Sequence, residues 1–449
     1  MNDELIHKQL ILTANHWYND ELFPNILSAQ EYINPDDIKE YFQHSKLFPI
    51  TEKSWLYIHI PFCKTQCLYC DITTKVEQRI EKFMQYILCL KRQAESQSLV
   101  HWSKIPVETI YIWWGTPSLL PIDLIRDLFQ IIEDNYDIRN CIQITFEWSP
   151  YTLTKTYLEE LKKLWVNRIT MWVQTFEEDL LAAYNRPQIF KDTIQIINDA
   201  KNLWFLCVNV DLIAWLPWQT QSWFISTLKT LLSEARPTTF FAHAFQPTLR
   251  TPFNKLSKWY RKHHIQLRKR LFHIWNKLSQ RLNSENYKPV YNFQLYDPSY
   301  SYKSIIWLWY WAISTIPWSV IYYWDNYKDY VDYYLNWSEK KCKWLLLKKN
   351  QIHYAFIIKS LMWNGIDKKK FQEIFSFNLL DCENFYKCLK NEGKNFLDNW
   401  SVIKFALISR VEKMRIFITY FYEDYPYNLF ESEKIFEKCY KNLDVFYDY

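Results

Sequence analysis

Leu56-Tyr57-Ile58-His59-Ile60-Pro61-Phe62 runs directly into Cys63-Lys64-Thr65-Gln66-Cys67-Leu68-Tyr69-Cys70. An apolar, strand-like run is followed at once by three thiols at the spacing CxxxCxxC. Closely spaced thiolates on one loop suit iron–sulfur ligation. Three such ligands hold three irons of a four-iron cluster and leave the fourth open to a small molecule. A structural zinc site is the main alternative. It closes with four ligands, and no second Cys or His pair stands nearby at zinc-like spacing. His59, inside the strand, reads as a packed core histidine. Tyr57 on the same strand either reaches the open side of the cluster or is core.

Working outward, apolar strand-like runs recur at 56–60, 109–112, 143–146, 168–173, 208–213 and 239–244. Amphipathic, helix-like stretches lie near 77–98, 121–134, 154–164, 176–184, 192–203 and 220–233. Six β–α units in order predict a parallel sheet, with one site gathered at the C-terminal ends of its strands. Residues 1–50 are polar and mixed and read as an extension packed on the main domain. Residues 255–284 are basic and helical in pattern, 285–340 are rich in Tyr and Trp, and 341–449 look helical with a tyrosine-rich tail. The expected division is 1–50 extension, 51–254 barrel and 255–449 a second, smaller domain over the barrel mouth.

The chain has 23 Trp and only 3 Gly in 449 residues. Glycine normally makes up about 7% of a protein. Helix C-caps and tight turns need positive φ, which glycine alone adopts without steric cost. The tryptophans stand where glycines are expected. Trp165 follows Leu161-Lys162-Lys163-Leu164 and precedes a strand, and Trp204 follows Asp199-Ala200-Lys201-Asn202-Leu203 and precedes the next. Leu216-Pro217-Trp218-Gln219-Thr220 reads as a turn if position 218 is glycine. Pooled, Trp and Gly come to about 6% of the chain, an ordinary glycine content. The pattern is that of a source in which UGA means glycine and has been read as tryptophan. The alternative is a protein truly rich in Trp.

A net charge of +5, with Lys and Arg spread along the chain, argues against nucleic acid as the main partner. No basic-then-apolar leader opens the sequence, and no apolar run is long enough to span a membrane. Seven of the ten cysteines are scattered, as for buried free thiols in a reducing cytoplasm.

The remaining motifs fall at strand ends. Ile110-Tyr111-Ile112-Trp113-Trp114-Gly115-Thr116-Pro117 becomes a Gly-Gly-Gly-Thr-Pro loop if both tryptophans are glycines, letting backbone approach a ligand closely. As two indoles, it fills that space. Glu147 ends the third strand, where a carboxylate accepts two ribose hydroxyls, or is a surface glutamate. Gln174 ends the fourth and Asp211 the fifth, and Arg186 follows in Asn185-Arg186-Pro187, able to pair with a carboxylate. Ile305-Ile306-Trp307-Leu308-Trp309-Tyr310-Trp311-Ala312-Ile313-Ser314 is either another glycine loop or an aromatic core strand.

With its three-cysteine loop and glycine-type second loop, the chain resembles the radical S-adenosylmethionine (SAM) enzymes. Residues 55–320 look like oxygen-independent coproporphyrinogen III oxidase and the related HemW-type haem chaperones. The resemblance rests on Tyr57-Ile58-His59-Ile60-Pro61-Phe62-Cys63 and on the segments around Gln174, Asp211 and Ile313. It implies an α/β fold, a partial (β/α)6 barrel with a smaller, mainly helical C-terminal domain. It implies a [4Fe–4S] cluster on Cys63, Cys67 and Cys70. SAM would contact Tyr57, Trp114 (as glycine), Gly115, Thr116, Glu147, Gln174, Arg186, Asp211, Ala244 and Ile313, with Tyr57 and Ile313 nearest the chemistry. The implied reaction is one-electron cleavage of SAM to a 5′-deoxyadenosyl radical. That radical takes hydrogen from a porphyrinogen propionate, which loses carbon dioxide and an electron to become vinyl, and two propionates are processed. A tetrapyrrole or haem, an electron donor and a monomeric state are implied as well. One departure stands out. The oxidases carry a further cysteine two residues after the third, and here that position is Ile72, closer to the Cys-Asp-Phe of the chaperones. The N-terminal extension and the Ala312-Ile313-Ser314 context look more like the oxidase. A degenerate protein without SAM chemistry is the third reading, if the tryptophans are real.

Overall fold

A computed structural model describes residues 54–256 except 71–73, 102–103 and 246–250. Beyond 256 it describes chiefly 305–308, 313–316, 319–322, 327–336, 343–346 and 365–406. The expected extension at 1–50 lies outside the described residues, as do much of 257–304 and most of the tail.

The six expected strands form β1 (Ser54–Ile60), β2 (Ile105–Gly115), β3 (Gln143–Trp148), β4 (Arg168–Gln174), β5 (Cys207–Ala214) and β6 (Thr239–Ala244). Six helices alternate with them: α1 (Ile80–His101), α2 (Ile122–Asn135), α3 (Lys155–Lys163), α4 (Glu178–Ala183), α5 (Phe190–Asn202) and α6 (Gln221–Thr230). Strands β6-β5-β4-β3-β2-β1 pair in parallel in that spatial order. All of β3 and nearly all of β4 are buried. In β4, Ile169, Met171 and Val173 share one face and alternate with Arg168, Thr170 and Gln174, which are buried on the other. The helices supply the cover. Helix α2 buries Leu124, Ile125, Leu128, Phe129, Ile131 and Ile132 on one face. Thr154 and Thr220 cap α3 and α6, each accepting from the amide three residues on.

The sheet does not stop at the boundary expected at residue 254. Strand β7 (Ile305–Leu308) pairs in parallel with β1, its Trp307 opposite Tyr57. Strands β8 (Ile313–Ile316), β9 (Ser319–Tyr322) and β10 (Lys343–Leu346) extend the same sheet in antiparallel fashion. The core of the barrel therefore draws on chain from the Tyr- and Trp-rich region. Helix α7 (Tyr327–Asn336) packs on α1 through Tyr330, whose hydroxyl donates to Gln93 at 3.0 Å. Farther on, helices α8 (Lys368–Phe375) and α9 (Glu383–Glu392) accompany a small antiparallel sheet, in keeping with a mainly helical C-terminal part.

Backbone torsions pick out the tryptophans flagged by composition. Trp114, Trp165, Trp204, Trp215 and Trp218 all have φ between 58° and 68°. At Trp165 the hydrogen bonds are those of a Schellman cap: Val166 N donates to Leu161 O at 3.1 Å and Trp165 N to Lys162 O at 3.2 Å. Leu161 and Val166 are both buried, as that motif requires. Trp204 ends α5 in the same left-handed conformation. Gln219 N donates to Leu216 O at 2.9 Å, so Pro217 and Trp218 are the central residues of a turn with positive φ at the second. That is a type II turn, which calls for glycine there. The indoles of Trp165, Trp204 and Trp218 gain little from burial, being 78%, 84% and 69% exposed. Left-handed backbone costs an L-residue about 1–2 kcal/mol. Trp165→Gly and Trp204→Gly are therefore each expected to raise stability by about 1 kcal/mol, measured as the urea midpoint at constant slope. A loss of stability in both would show that the indoles contribute to the fold.

Candidate active site

The three cysteines lie where β1 ends. Phe62–Cys63 forms a short strand pairing with Lys75–Val76, which closes the loop at its base. Cys70 N donates to Cys67 O at 3.1 Å, a tight turn between the second and third thiols. The loop is docked on the residues after α4. Leu68 N donates to Tyr184 O at 3.2 Å, Thr65 Oγ1 to Asn185 O at 3.2 Å, and Asn185 Nδ2 to Gln66 O at 3.0 Å. Asn185 manages this because it too is left-handed, at φ 61°. Asn tolerates that region better than most residues.

None of the three thiols is in a disulfide, and all three are half-buried. Among the described residues, no three Cys, His, Asp or Glu converge closely enough to hold a single metal ion. A four-iron cluster takes one thiolate at each of three separate corners, so its ligands stand farther apart than those of one ion. Burial, with Cys67 beside it, pushes the Cys63 thiol up to about 11, against a hydrogen bond from Thr116. A coordinated metal is what would hold it as thiolate.

The loop after β2 lies against this turn. Thr116 N donates to Phe62 O at 2.7 Å and Thr116 Oγ1 to Cys63 Sγ at 3.6 Å. Gly115 sits between the two loops at φ +58°, where a Cβ would come within 2.0 Å of Ile60 O. Its neighbours are the indoles. Trp113 lies 4.8 Å from Trp114 and 5.9 Å from Tyr57, ring centre to ring centre, and Trp114 stacks over His59 at 6.4 Å. These rings lie against Tyr57 and His59, near the end of β1.

Glu147 and Gln174 lie at the ends of β3 and β4, as expected, but Asp211 does not end its strand: β5 runs three residues further, to Ala214, and stays paired with β6 over them. Tyr111 donates to Glu147 Oε1 at 2.8 Å, and Asn209 Nδ2 to Asp211 Oδ1 at 2.8 Å. Burial, reinforced by the charge of Asp211, holds the Glu147 carboxyl well above the usual range. Burial likewise holds Asp211 up at about 6. Glu147 Oε2 and Gln174 Oε1 are buried with no hydrogen-bond partner among the described residues. Orphaned buried acceptors are costly, so these two oxygens fit a ligand that brings hydroxyl or amine donors. Gln174 is also strained, at φ 66°, at an irregularity in the β4–β5 ladder.

Arg186 is placed differently. It reaches the cysteine loop, not the carboxylates: Nη1 donates to Tyr69 Oη at 2.9 Å and approaches Cys67 Sγ at 3.7 Å. Nη2 donates to Ser149 Oγ at 3.0 Å and to the Trp172 carbonyl. Tyr57 is buried, its hydroxyl 3.3 Å from His59 Nδ1. Ala244 closes β6 and Ile313 opens β8; their side chains lie outside the described set. Sequence reasoning missed Tyr69, Tyr111, Ser149 and Gln188. The parity of β2 was a signal for Tyr111, since Tyr111 and Trp113 share a face.

Residues 57–231 match the Radical SAM superfamily. The chain therefore carries a radical SAM domain, the class that the barrel and the three-cysteine loop define. Its relatives narrow the likeness. It is 27% identical over 251 residues to the oxygen-independent coproporphyrinogen III oxidase of Salmonella typhimurium, covering 56% of this chain and 54% of that protein. It is 34% identical over 176 residues to the haem chaperone HemW of Buchnera aphidicola from Schizaphis graminum, covering 39% and 45%. The chain spans about half the length of the curated relatives it matches. The crystal structure of coproporphyrinogen III oxidase from Escherichia coli superposes with TM-score 0.65 at 19% identity, over 91% of this chain and 98% of that one. The resemblance drawn from the motifs is borne out by these matches, and so is the partial barrel. No described helix is long and apolar enough to cross a membrane.

Gly115→Ala is expected to abolish cluster assembly, read as iron per chain after anaerobic reconstitution. Gly393→Ala, whose Cβ meets nothing within 4 Å, should leave the iron content unchanged. A second expectation concerns Asp211. Its folded-state value of about 6 lies above the ordinary 3.8. Folding thus favours the neutral acid, and the associated stability is complete at low pH and lost as pH rises through about 6. Asp211→Asn should then be the more stable form at pH 8, by up to about 3 kcal/mol, with the gain shrinking towards pH 4. Thermal unfolding across that range checks it.

Proposed function

We propose that the protein is a radical SAM enzyme acting on a tetrapyrrole, by the oxidative decarboxylation of a porphyrinogen propionate. The observation that carries this reading is the three-cysteine loop at the end of β1 with the Gly115–Thr116 loop packed directly on it, in a barrel where Glu147 and Gln174, at the ends of β3 and β4, carry buried acceptors with no partner among the described residues. A bound cluster and SAM would supply one-electron cleavage of the sulfonium. This chain's residues would bind and orient. Cys63, Cys67 and Cys70 would hold the cluster. Glu147, fixed by Tyr111, and Asp211, fixed by Asn209, would accept ribose hydroxyls. Gln174 and Arg186 would bind the polar groups of the amino acid end. Gly115 and Thr116 would offer backbone to the methionine amine, and Tyr57, Ala244 and Ile313 would complete the site. A buried, low-dielectric site of this kind orients reactants and keeps water from a reactive species. Haem biosynthesis in the cytoplasm, a low-potential electron donor and a monomeric state accompany the reading.

In this account the tryptophans at 113, 114, 165, 204, 215 and 218 stand at glycine positions of the natural protein, encoded there by UGA. Five of the six have left-handed backbone, and the rings of Trp113 and Trp114 crowd Tyr57 and His59. Kept as indoles, they would leave a non-catalytic protein.

A haem chaperone of the HemW type is the second reading, favoured by Cys70-Asp71-Ile72, which lacks the oxidase's further cysteine. One assay separates the two. Protein with glycine at 113 and 114 is reconstituted anaerobically and given SAM, a reductant and coproporphyrinogen III. The oxidase reading expects 5′-deoxyadenosine and a product lighter by two carboxyl groups. Haem binding with a Soret shift, and no decarboxylated product, would transfer the chain to the chaperones.

A further inference from the structure

Among the described residues, Arg186 is a buried cation with no carboxylate bonded to it. It is 5% exposed, and all its hydrogen bonds end on uncharged acceptors or on a thiol. Nε donates to Gln188 Oε1 at 2.7 Å, Nη1 to Tyr69 Oη and Cys67 Sγ, and Nη2 to Ser149 Oγ and the Trp172 carbonyl. The ring of Tyr151 lies 5.9 Å from its Cζ. Among the described residues no ion pair includes it. A guanidinium does not shed its proton, and a buried charge without a counter-charge costs several kcal/mol. Such a charge is retained where an anion is to be supplied. Two anions arrive when the site is loaded: the carboxylate of SAM, at the amino acid end that Arg186 is read as binding, and the sulfur of Cys67, 3.7 Å from Nη1.

We propose that Arg186 is an electrostatic residue for the cluster: its fixed positive charge beside Cys67 Sγ favours the one-electron-reduced state and so raises the reduction potential. The proposal rests on the reading that Cys63, Cys67 and Cys70 hold a four-iron cluster, and adds to it a task separate from binding SAM. Reduction brings one electron, from a low-potential one-electron donor, onto a cluster that already carries net negative charge. A nearby buried cation stabilises the more negative state, and more strongly where water is excluded. Hydrogen bonds to the sulfurs and burial are recognised levers on such potentials. Gln188, Tyr69 and Ser149 hold the guanidinium from three sides, so its position is built, not incidental. Tyr69 lies between the second and third ligands, and couples the loop's own conformation to that position.

The test is an EPR-monitored redox titration of the anaerobically reconstituted full chain without SAM, using dithionite, with iron per chain measured on each sample. Arg186→Gln should hold the parent's iron and have a lower midpoint, by at least a tenfold shift in the one-electron equilibrium (59 mV for one electron). Arg186→Lys, which keeps the charge, should lie between. Gln188→Glu is the companion variant. It keeps the shape and the bond to Nε while neutralising the guanidinium, and should lower the midpoint in the same direction without removing any ligand. A normal cluster with an unchanged midpoint in Arg186→Gln and Gln188→Glu overturns the proposal. If Arg186→Gln does not fold, an unchanged midpoint in Gln188→Glu alone overturns it. If the parent assembles no cluster, the underlying reading falls first and takes this inference with it, an outcome told apart by the iron measurement.

Discussion

A short link that turns a helix back into a parallel strand needs one residue in the left-handed region, and this barrel depends on that device repeatedly. It is used at Trp165 before β4, at Asn185 after α4, at Trp204 before β5 and at Arg236 before β6. Each closes the orphaned carbonyls of a helix end; Trp165, Trp204 and Arg236 aim the chain at its next strand, and Asn185 aims it from α4 towards α5. The same torsion recurs at the functional end, in Trp114, Gly115, Gln174 and Trp215. Were these residues unable to hold positive φ, the strands would not arrive in register and the cysteine loop would lose its platform. The unusual composition is therefore not a peripheral oddity. It bears on the conformational requirement from which both fold and site follow.

Around that frame the site is layered. The cysteine loop rests on Asn185 and Tyr184, and Gly115 allows the second loop to touch it. Arg186 then ties the loop to the ends of β3 and β4 through Ser149 and Trp172. Two buried carboxyl groups complete it: burial, with the charge of Asp211 beside it, holds Glu147 well above the usual range, and burial raises Asp211 to about 6. The arrangement is costly for an isolated fold. It stores a buried cation at one level and orphaned acceptors at another, and a ligand with an amine, a carboxylate and hydroxyls relieves both. Strain and unsatisfied groups of this kind gather at functional sites.

Much of this was legible in the sequence because it is local. Six apolar runs with intervening amphipathic stretches announce a β/α alternation, and the three cysteines, Glu147 and Gln174 follow from their places at strand ends, whereas Asp211 reads as a strand end and lies within β5. What was not legible is long-range. That Ile305–Leu308 pairs with β1 depends on a return across nearly the whole barrel, and no local pattern encodes it. The bond from Arg186 to Tyr69 joins residues 117 apart. Tyr111 needed both its parity on β2 and the knowledge that β3 lies beside it. Gln174 was read as an ordinary strand end, whereas its backbone is left-handed.

The most direct test is the identity of the residues at 114, 165, 204, 215 and 218 in protein isolated from its natural source, read by peptide mass spectrometry. The account predicts glycine at these positions, giving an open loop beside Cys63 and relaxed helix caps. Tryptophan there would contradict it, leaving indoles over the site and a fold that carries the strain of every left-handed turn.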